Sequence, residues 1–379
     1  MSKAPYAVVT GGGTGGHVSP ALAVAEALVA RGHDKSEILI VGAGRQVERQ
    51  LVPAAGFELV ALPGRGIKRS ASLDNLSAVA GLAQALGRAI AMALRQRPKV
   101  VVTVGGYAGF AYAAAALLLR IPLVVVSVDA RPGAVNRLVG RFAAVNATAL
   151  PGSGLPRAVV TGAPLRRAAT ERGRGEAARQ AVYDRLGIEA GRRLVVVTGG
   201  SLGAGSINAA ALEAAKSFAG RQDLAIYHVT GERNYDEVAR QAAAAGLGPG
   251  REGLSYLLAP FDRELTGALA GCDLAVCRAG ALTVAELTAI GVPAVLVPLP
   301  GAPGDHQTHN ATVLASAGAA LLLPDGECDG PRLAKELAAL LEAPGRLEEM
   351  AKAAAALGRR DGAAQVAEIV ERAAGKKER

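Results

Sequence analysis

The chain has 379 residues, enough for two domains with separate cores, and half are apolar while only 3% are aromatic and none is Trp. Cores built from Ala, Val and Leu suit parallel sheets covered by Ala-rich helices. Three cysteines (Cys272, Cys277, Cys328) exclude a disulfide framework and point to a reducing compartment.

The net charge of +9 is one-sided: residues 1–165 carry 17 Lys/Arg against 7 Asp/Glu, and the remainder 25 against 26. An anionic membrane surface or a phosphorylated substrate fits that excess. A nucleic-acid partner fits poorly, because stacking aromatics are nearly absent. Lys3 runs straight into a strand, so no signal peptide is expected and the cytoplasm is the expected compartment.

Apolar strand-like runs alternate with helical patterns along the whole chain, which is the pattern of parallel α/β architecture. Strands are predicted at 7–10, 38–41, 58–62, 100–104, 123–128, 145–149 and 158–161. A second series follows at 194–198, 225–229, 255–258, 274–277, 294–297 and 320–323. Between them, residues 162–191 are polar and Arg-rich with a helix near 177–186, and the domain boundary is expected near 162–167. Helices at 331–342, 345–357 and 362–374 close the chain. The apolar run from Tyr107 to Leu119 is too short to span a bilayer and reads as a buried helix.

After the first strand comes Gly11-Gly-Gly-Thr-Gly-Gly-His17, then an Ala/Leu helix that Ser19-Pro20 is expected to cap. The loop matches G-x-G-x-x-G, but the second strand runs into Gly42-Ala43-Gly44 instead of ending on a ribose-binding acid. The glycines still imply close approach of the backbone to a ligand, with His17 beside it.

Residues 64–99 hold seven Lys/Arg and one acid, Asp74, around a helix whose Leu73, Leu76, Val79, Leu82, Leu86, Ile90 and Leu94 recur at helical spacing. Two readings stand: a sheet-covering helix with solvated basic ends, or a basic, apolar flank facing a membrane. Strand four ends in Gly105-Gly106-Tyr107. The later Thr198-Gly199-Gly200-Ser201-Leu202-Gly203-Ala204 reads as a phosphate cradle, without the lysine of a P-loop.

Cys277-Arg278-Ala279-Gly280-Ala281 again runs from strand through a small-residue turn into a helix, with Glu286 on its early turns. Alone it could be an ordinary turn with a solvated glutamate. The next loop, Pro298 to Gln307, carries polar groups to the same sheet end, and together they suggest a phosphate site with a carboxylate for ribose hydroxyls. Asp305 is expected to cap the helix that follows. His306, His309 and Asp305 lack a fourth ligand for zinc, and no Asp-x-Asp occurs to bridge a metal to a diphosphate.

With Gly12–His17, Gly105-Gly106-Tyr107, Gly199-Gly200-Ser201, Arg278-x-Gly280-Ala281-Leu282-Thr283-x-x-Glu286 and His306-Gln307-x-x-Asn310-Ala311 in this order, the chain resembles the peptidoglycan N-acetylglucosaminyltransferases of the MurG family over nearly its whole length. The resemblance implies an α/β GT-B fold, two Rossmann-like domains whose parallel sheets face each other across a cleft. Residues 1–164 would form the acceptor and membrane-facing domain, with the closing helix 362–375 able to pack back on it, and residues 165–361 the UDP-sugar domain.

It implies transfer of N-acetylglucosamine (GlcNAc) from UDP-GlcNAc to the muramyl 4-hydroxyl of the lipid-linked muramyl pentapeptide, lipid I. No cofactor, no metal and no nucleic acid would be involved. The protein would sit peripherally on the anionic inner-membrane surface, at the cytoplasmic face. Thr14, Gly15, Gly16, Asp129, Arg166, Ser201, Ala281, Leu282, Thr283, Val284, Ala285, Glu286 and Gln307 match donor-binding positions. Phe261 matches the uracil-contacting segment, with Asp262 where the family usually has an aliphatic residue. His17 and Tyr107 match the acceptor side, and His17 and Asp129 are the candidate catalytic residues.

Two departures stand out. Val126-Ser127-Val128-Asp129 replaces the family's His-Glu-Gln-Asn, and Gly162-Ala163-Pro164 replaces Gly-Asn-Pro. They leave room for a MurG-like transferase with another lipid-linked or natural-product acceptor. A nucleotide- or nucleic-acid-binding module without catalysis is the reading from another class.

Overall fold

The computed structural model describes residues 4–12, 15–63, 74–171, 173–200, 202–250 and 252–375. The chain divides into two compact units, residues 1–167 with 359–379, and residues 168–358.

The first unit runs β1 (Ala7–Thr10), α1 (Gly15–Ala30), β2 (Ile38–Gly42), α2 (Gln46–Ala54), β3 (Glu58–Ala61), α3 (Asp74–Gln96), β4 (Val100–Thr103), α4 (Gly106–Leu118), β5 (Leu123–Ser127), α5 (Ala134–Val139), β6 (Val145–Thr148) and β7 (Ala158–Val160). The short α6 (Arg167–Thr170) follows. The second unit runs α7 (Glu176–Leu186), β8 (Arg193–Thr198), α8 (Gly205–Ser217), β9 (Leu224–Val229), α9 (Tyr235–Ala244), β10 (Ser255–Ala259), α10 (Leu265–Gly271), β11 (Leu274–Cys277), α11 (Ala281–Ile290), β12 (Ala294–Leu296), α12 (His306–Ser316), β13 (Ala320–Leu322), α13 (Gly330–Glu342) and α14 (Arg346–Leu357). The last helix, α15 (Gly362–Ala373), belongs to the first unit.

The two sheets repeat one topology. Their orders are β3-β2-β1-β4-β5-β6-β7 and β10-β9-β8-β11-β12-β13, with neighbouring strands parallel throughout. Every residue of β1 (AVVT), β4 (VVVT), β5 (LVVVS) and β11 (LAVC) is buried. Such fully buried, mostly apolar strands are coated by helices on both faces, and their valines suit the extended backbone. In the first unit α3, α4 and α5 pack side by side, while α1 holds α2 and α15.

Three expectations need correction. The most deeply buried stripe of α3 is alanine: Ala78, Ala85, Ala89 and Ala93 are at most 1% exposed, with Leu82, Leu86 and Ile90 partly buried against the same core, whereas Val79 and Leu94 are 55% and 52% exposed. The neighbour explains it. α4 turns Ala108, Ala111, Ala115 and Ala116 inward, and two alanine faces let the helices approach more closely than leucines would allow. Leu73 lies outside the described residues.

Ser19-Pro20 does not cap α1, which starts at Gly15 and carries Pro20 inside it. Pro20 has no N–H to give to the Gly16 carbonyl, one turn back. Asp305 stands at the N-cap of α12 but its carboxylate makes no cap bond to the helix backbone. Its backbone is left-handed (φ 53°), and the carboxylate accepts instead from the Thr308 hydroxyl at 2.7 Å.

A buried polar cluster braces α8 inside the second unit. His228 Nδ1 meets the Tyr256 hydroxyl at 2.8 Å, His228 Nε2 meets Asn208 Oδ1 at 3.0 Å, and Asn208 Nδ2 donates to the Thr230 carbonyl. The amide oxygen of Asn208 can only accept, so Nε2 carries the proton and Nδ1 accepts from the tyrosine. Burial pushes the imidazole down to about 3, so it stays neutral.

Candidate active site

In open parallel sheets ligands bind beyond the carboxyl ends of the strands, where the strand order reverses. Here the reversals fall between β1 and β4 and between β8 and β11. All four strands lead into the glycine turns singled out from sequence.

In the first unit, the turns after β1 and β4 touch. A Cβ at Gly106, whose φ is +80°, would stand 2.6 Å from the Gly12 carbonyl oxygen. Beneath the first turn lies Glu48, only 1% exposed, accepting from the N–H groups of Ala43 (3.1 Å) and Arg45 (2.6 Å). A Cβ at Gly12 would strike its carboxylate. Sequence reading passed over Glu48, which looks like a surface residue of α2. Its signal is a lone acid three residues into a helix beside a glycine loop.

Gly15, Gly16 and His17 form the first turn of α1, with His17 half buried. Tyr107 opens α4, but its hydroxyl points to the backbone carbonyls of Pro63 and Gly81. It anchors α3 by that route. Asp129 lies just after β5 and is partly exposed. The Arg166 guanidinium grips Glu26 of α1 with both arms, Nη2 to Oε1 at 2.6 Å and Nε to Oε2 at 3.3 Å. Thr14, Ser201 and the basic stretch 64–73 lie outside the described residues.

In the second unit, Gly200 and Gly203 hold left-handed backbone (φ 86° and 73°) between β8 and α8. A Cβ at Gly203 would stand 2.2 Å from the Thr230 carbonyl oxygen, so only glycine fits. Gly280 precedes α11, and α8 and α11 follow neighbouring strands with their N-terminal N–H groups at the same sheet edge. Glu286, one turn into α11, has no hydrogen bond among the described residues. Burial pushes its carboxyl up to about 7.

Arg278 ties the turns together. Its Nη1 donates to Asp325 Oδ1 and to the carbonyls of Val297 and Pro298, its Nη2 to the Ser206 hydroxyl (3.1 Å), and Ser206 in turn donates to Asp325 (2.6 Å). Burial alone would raise the Asp325 carboxyl, but the hydrogen bonds from Ser206 and Arg278 and the guanidinium charge hold it below its ordinary value. Neither Ser206 nor Asp325 was foreseen from sequence. Asn310 Nδ2 donates to the Ala279 carbonyl at 3.1 Å, and Gln307 Oε1 accepts from the Leu299 N–H at 2.9 Å. The first fixes the turn before α11, the second the loop between β12 and α12. His306 and His309 turn Nδ1 to backbone carbonyls of Pro303 and Asp305.

The strongly exposed large apolar side chains of the second unit, Leu202, Phe261 and Leu299, lie on the loops after β8, β10 and β12. All three loops leave the sheet at its carboxyl edge, the edge that carries the glycine turns.

Two Rossmann-type units in one chain, each with glycine turns at its reversal point, define the GT-B class of nucleotide-sugar proteins. Residues 7–148 match the glycosyltransferase family 28 N-terminal domain and residues 194–366 its C-terminal domain. The chain belongs to glycosyltransferase family 28. It is 43% identical over 364 residues to the UDP-N-acetylglucosamine–N-acetylmuramyl-(pentapeptide) pyrophosphoryl-undecaprenol N-acetylglucosamine transferase of Alkalilimnicola ehrlichii, covering 96% of this chain and 97% of that protein. The same-named protein of Desulforudis audaxviator is 37% identical over 374 residues, covering 97% and 98%. Among solved structures, Acinetobacter baumannii MurG superposes with a TM-score of 0.77 at 28% identity, covering 97% of this chain and all of that one. A UDP-GlcNAc 2-epimerase from Neisseria meningitidis, at 14% identity, 98% and 100% coverage and a TM-score of 0.66, shares the fold alone.

Proposed function

We propose that this chain transfers N-acetylglucosamine from UDP-GlcNAc to the 4-hydroxyl of the muramyl sugar in lipid I, the acceptor that its relatives' names describe. One observation carries the reading: two helix N-termini, joined through Arg278 and Ser206, stand beside the half-buried carboxylate of Glu286. A diphosphate fits the helix ends and a ribose fits the carboxylate.

In this reading Thr14, Gly15, Gly16, Asp129, Arg166, Ser201, Ala281–Glu286 and Gln307 are the donor-binding positions, and the Phe261 turn meets the base. UDP departs with growing negative charge on its phosphate, and prealigned N–H groups stabilise that charge as it forms. The acceptor hydroxyl loses its proton to His17 or to Asp129. Val126, Ser127 and Val128 are 1%, 1% and 7% exposed, so three of the four changed positions are packing sites and only Asp129 is open to an acceptor.

UDP release against a panel of UDP-sugars with a lipid I analogue tests the assignment. Release confined to UDP-GlcNAc with the analogue supports it. Release with another acceptor makes the chain a MurG-like transferase of different specificity, and donor binding without turnover makes it a binding module.

We further propose that the first unit rests on an anionic membrane from its cytoplasmic side, without crossing it. Between Asp74 and Glu171 the sequence holds eleven Lys/Arg and one acid, Asp129. On the layer formed by α3, α4 and α5, Val79, Leu94 and Leu118 protrude with Leu138 and the adjoining Phe142, the last two 51% and 68% exposed. Exposed apolar side chains among cations suit an interface rather than a bilayer core. No described helix is long and apolar enough to cross a membrane.

A further inference from the structure

The turn after β10 is held by more than its sequence suggests. The Asp262 side chain, 7% exposed, receives both arms of Arg185 (Nη1 to Oδ1 at 3.1 Å, Nη2 to Oδ2 at 3.0 Å). It also receives the Tyr227 hydroxyl at 3.0 Å and the Glu264 N–H at 2.8 Å. Three elements meet on one carboxylate: α7 through Arg185, β9 through Tyr227, and the start of α10 through Glu264. Two-armed arginine–carboxylate pairs fix geometry as well as adding energy.

A cavity of about 470 Å³ opens between α7 and α10, lined by Ala177, Ala181, Val182, Arg185, Glu264 and Gly267. Beside this opening the carboxylate ties the turn to α7 and β9.

What the carboxylate fixes is a set of open backbone groups. The N–H groups of Phe261 and Asp262 and the Phe261 carbonyl make no hydrogen bond among the described residues, and the Phe261 ring is 51% exposed. Pro260 stiffens the approach. Fixed donors and acceptors beside an aromatic ring suit a flat, hydrogen-bonding heterocycle.

We infer that Asp262, clamped by Arg185 and Tyr227, is a positioning residue that holds this turn in the geometry that distinguishes uracil from cytosine. The inference rests on the UDP-sugar reading above. Uracil offers an acceptor at O4 and a donor at N3, whereas cytosine reverses both at the same edge. A rigid N–H and C=O pair accepts one pattern and leaves the other with unpaired groups. A turn free to shift loses part of that contrast.

The test is calorimetric titration of UDP and CDP into the wild type, Asp262→Asn and Tyr227→Phe, with Tm measured in parallel. For Asp262→Asn the UDP Kd rises roughly five- to tenfold and the CDP-to-UDP Kd ratio falls at least about threefold. Tyr227→Phe moves both quantities the same way by less. A Kd ratio unchanged in both variants, whatever happens to Tm, makes the carboxylate merely structural and overturns the inference. A wild type that binds neither nucleotide overturns the donor reading itself, and the inference with it.

Discussion

The half-buried carboxyl of Glu286, pushed up to about 7, makes donor binding depend on pH across the neutral range. Only the ionised form accepts both ribose hydroxyls. Affinity is therefore complete above that value and is lost as pH falls through it. The apparent Kd rises by one plus the ratio of protonated to ionised carboxyl, so it weakens roughly tenfold between pH 8 and pH 6, about 1.4 kcal/mol.

Calorimetry with UDP-GlcNAc avoids the titrating terminal phosphate of UDP. Run in two buffers of different ionisation heat, it also counts protons: close to one released per donor bound at pH 6 and close to none at pH 8. Glu286→Gln abolishes the pH dependence and weakens binding at pH 8 by roughly tenfold or more, since a charged hydrogen-bond acceptor is gone. The same substitution raises stability. A glutamate whose folded pKa lies above its unfolded 4.5 destabilises the fold above pH 7 and ceases to do so below 4.5, so the neutral amide gains on the order of 1–3 kcal/mol at pH 8. A Kd constant within about twofold from pH 6 to 8, with no buffer dependence, would refute the carboxylate's part in ribose binding.

Four other outcomes are expected. Folded His228 stays neutral down to about 3 while the unfolded side chain takes a proton near 6.5, so stability falls with pH across that window by an amount on the order of 4–5 kcal/mol, read by urea titration of the wild type against His228→Gln. Arg278→Met leaves Asp325 in a half-buried site without its cation, and should lower stability by about 3 kcal/mol and weaken UDP-GlcNAc binding, seen by melting and calorimetry. Phe142→Glu reduces co-sedimentation with anionic vesicles, and added salt weakens the wild type's binding in the same assay because surface fields are screened within about 8 Å. If His17 is the base, His17→Ala lowers kcat by about 10²–10⁴ with donor Kd kept, whereas loss only in Asp129→Asn moves the proton to the carboxylate.

The strands were legible because most are short apolar runs soon followed by glycine or proline, a pattern that can be recognised without a partner. The glycine turns were legible for a related reason: left-handed backbone at Gly106, Gly200 and Gly203 demands glycine wherever it occurs. What escaped were choices made by neighbours. The alanine face of α3 is selected by α4, and nothing in α3 itself ranks it above the leucines. Arg278 finds Asp325 47 residues away, and Asp262 finds Arg185 77 residues away in the opposite direction. Such pairs exist only after the sheets have formed, so local pattern carries no trace of them. The cap expectation at Ser19 failed on register, because α1 starts four residues earlier, and that at Asp305 failed because the carboxylate of a left-handed N-cap residue turns to the Thr308 hydroxyl instead of the helix backbone.

The first unit is not contiguous in the chain. Its last helix, α15, is pinned by Glu371, which takes both Arg31 Nη2 (2.8 Å) and Nε (3.0 Å) and faces His33 Nε2 at 2.9 Å, while the His33 ring stacks on Tyr6 at 4.1 Å. On the ribosome, α1 and its sheet emerge long before this helix does. Residues 168–358 must be made first, an interval of roughly 10–40 s at ordinary elongation rates. Through that time the face of α1 that α15 will cover stays open to water, and the second unit can finish folding while the first still waits for its final helix. Synthesis order therefore reverses folding order: the half that starts first is completed last.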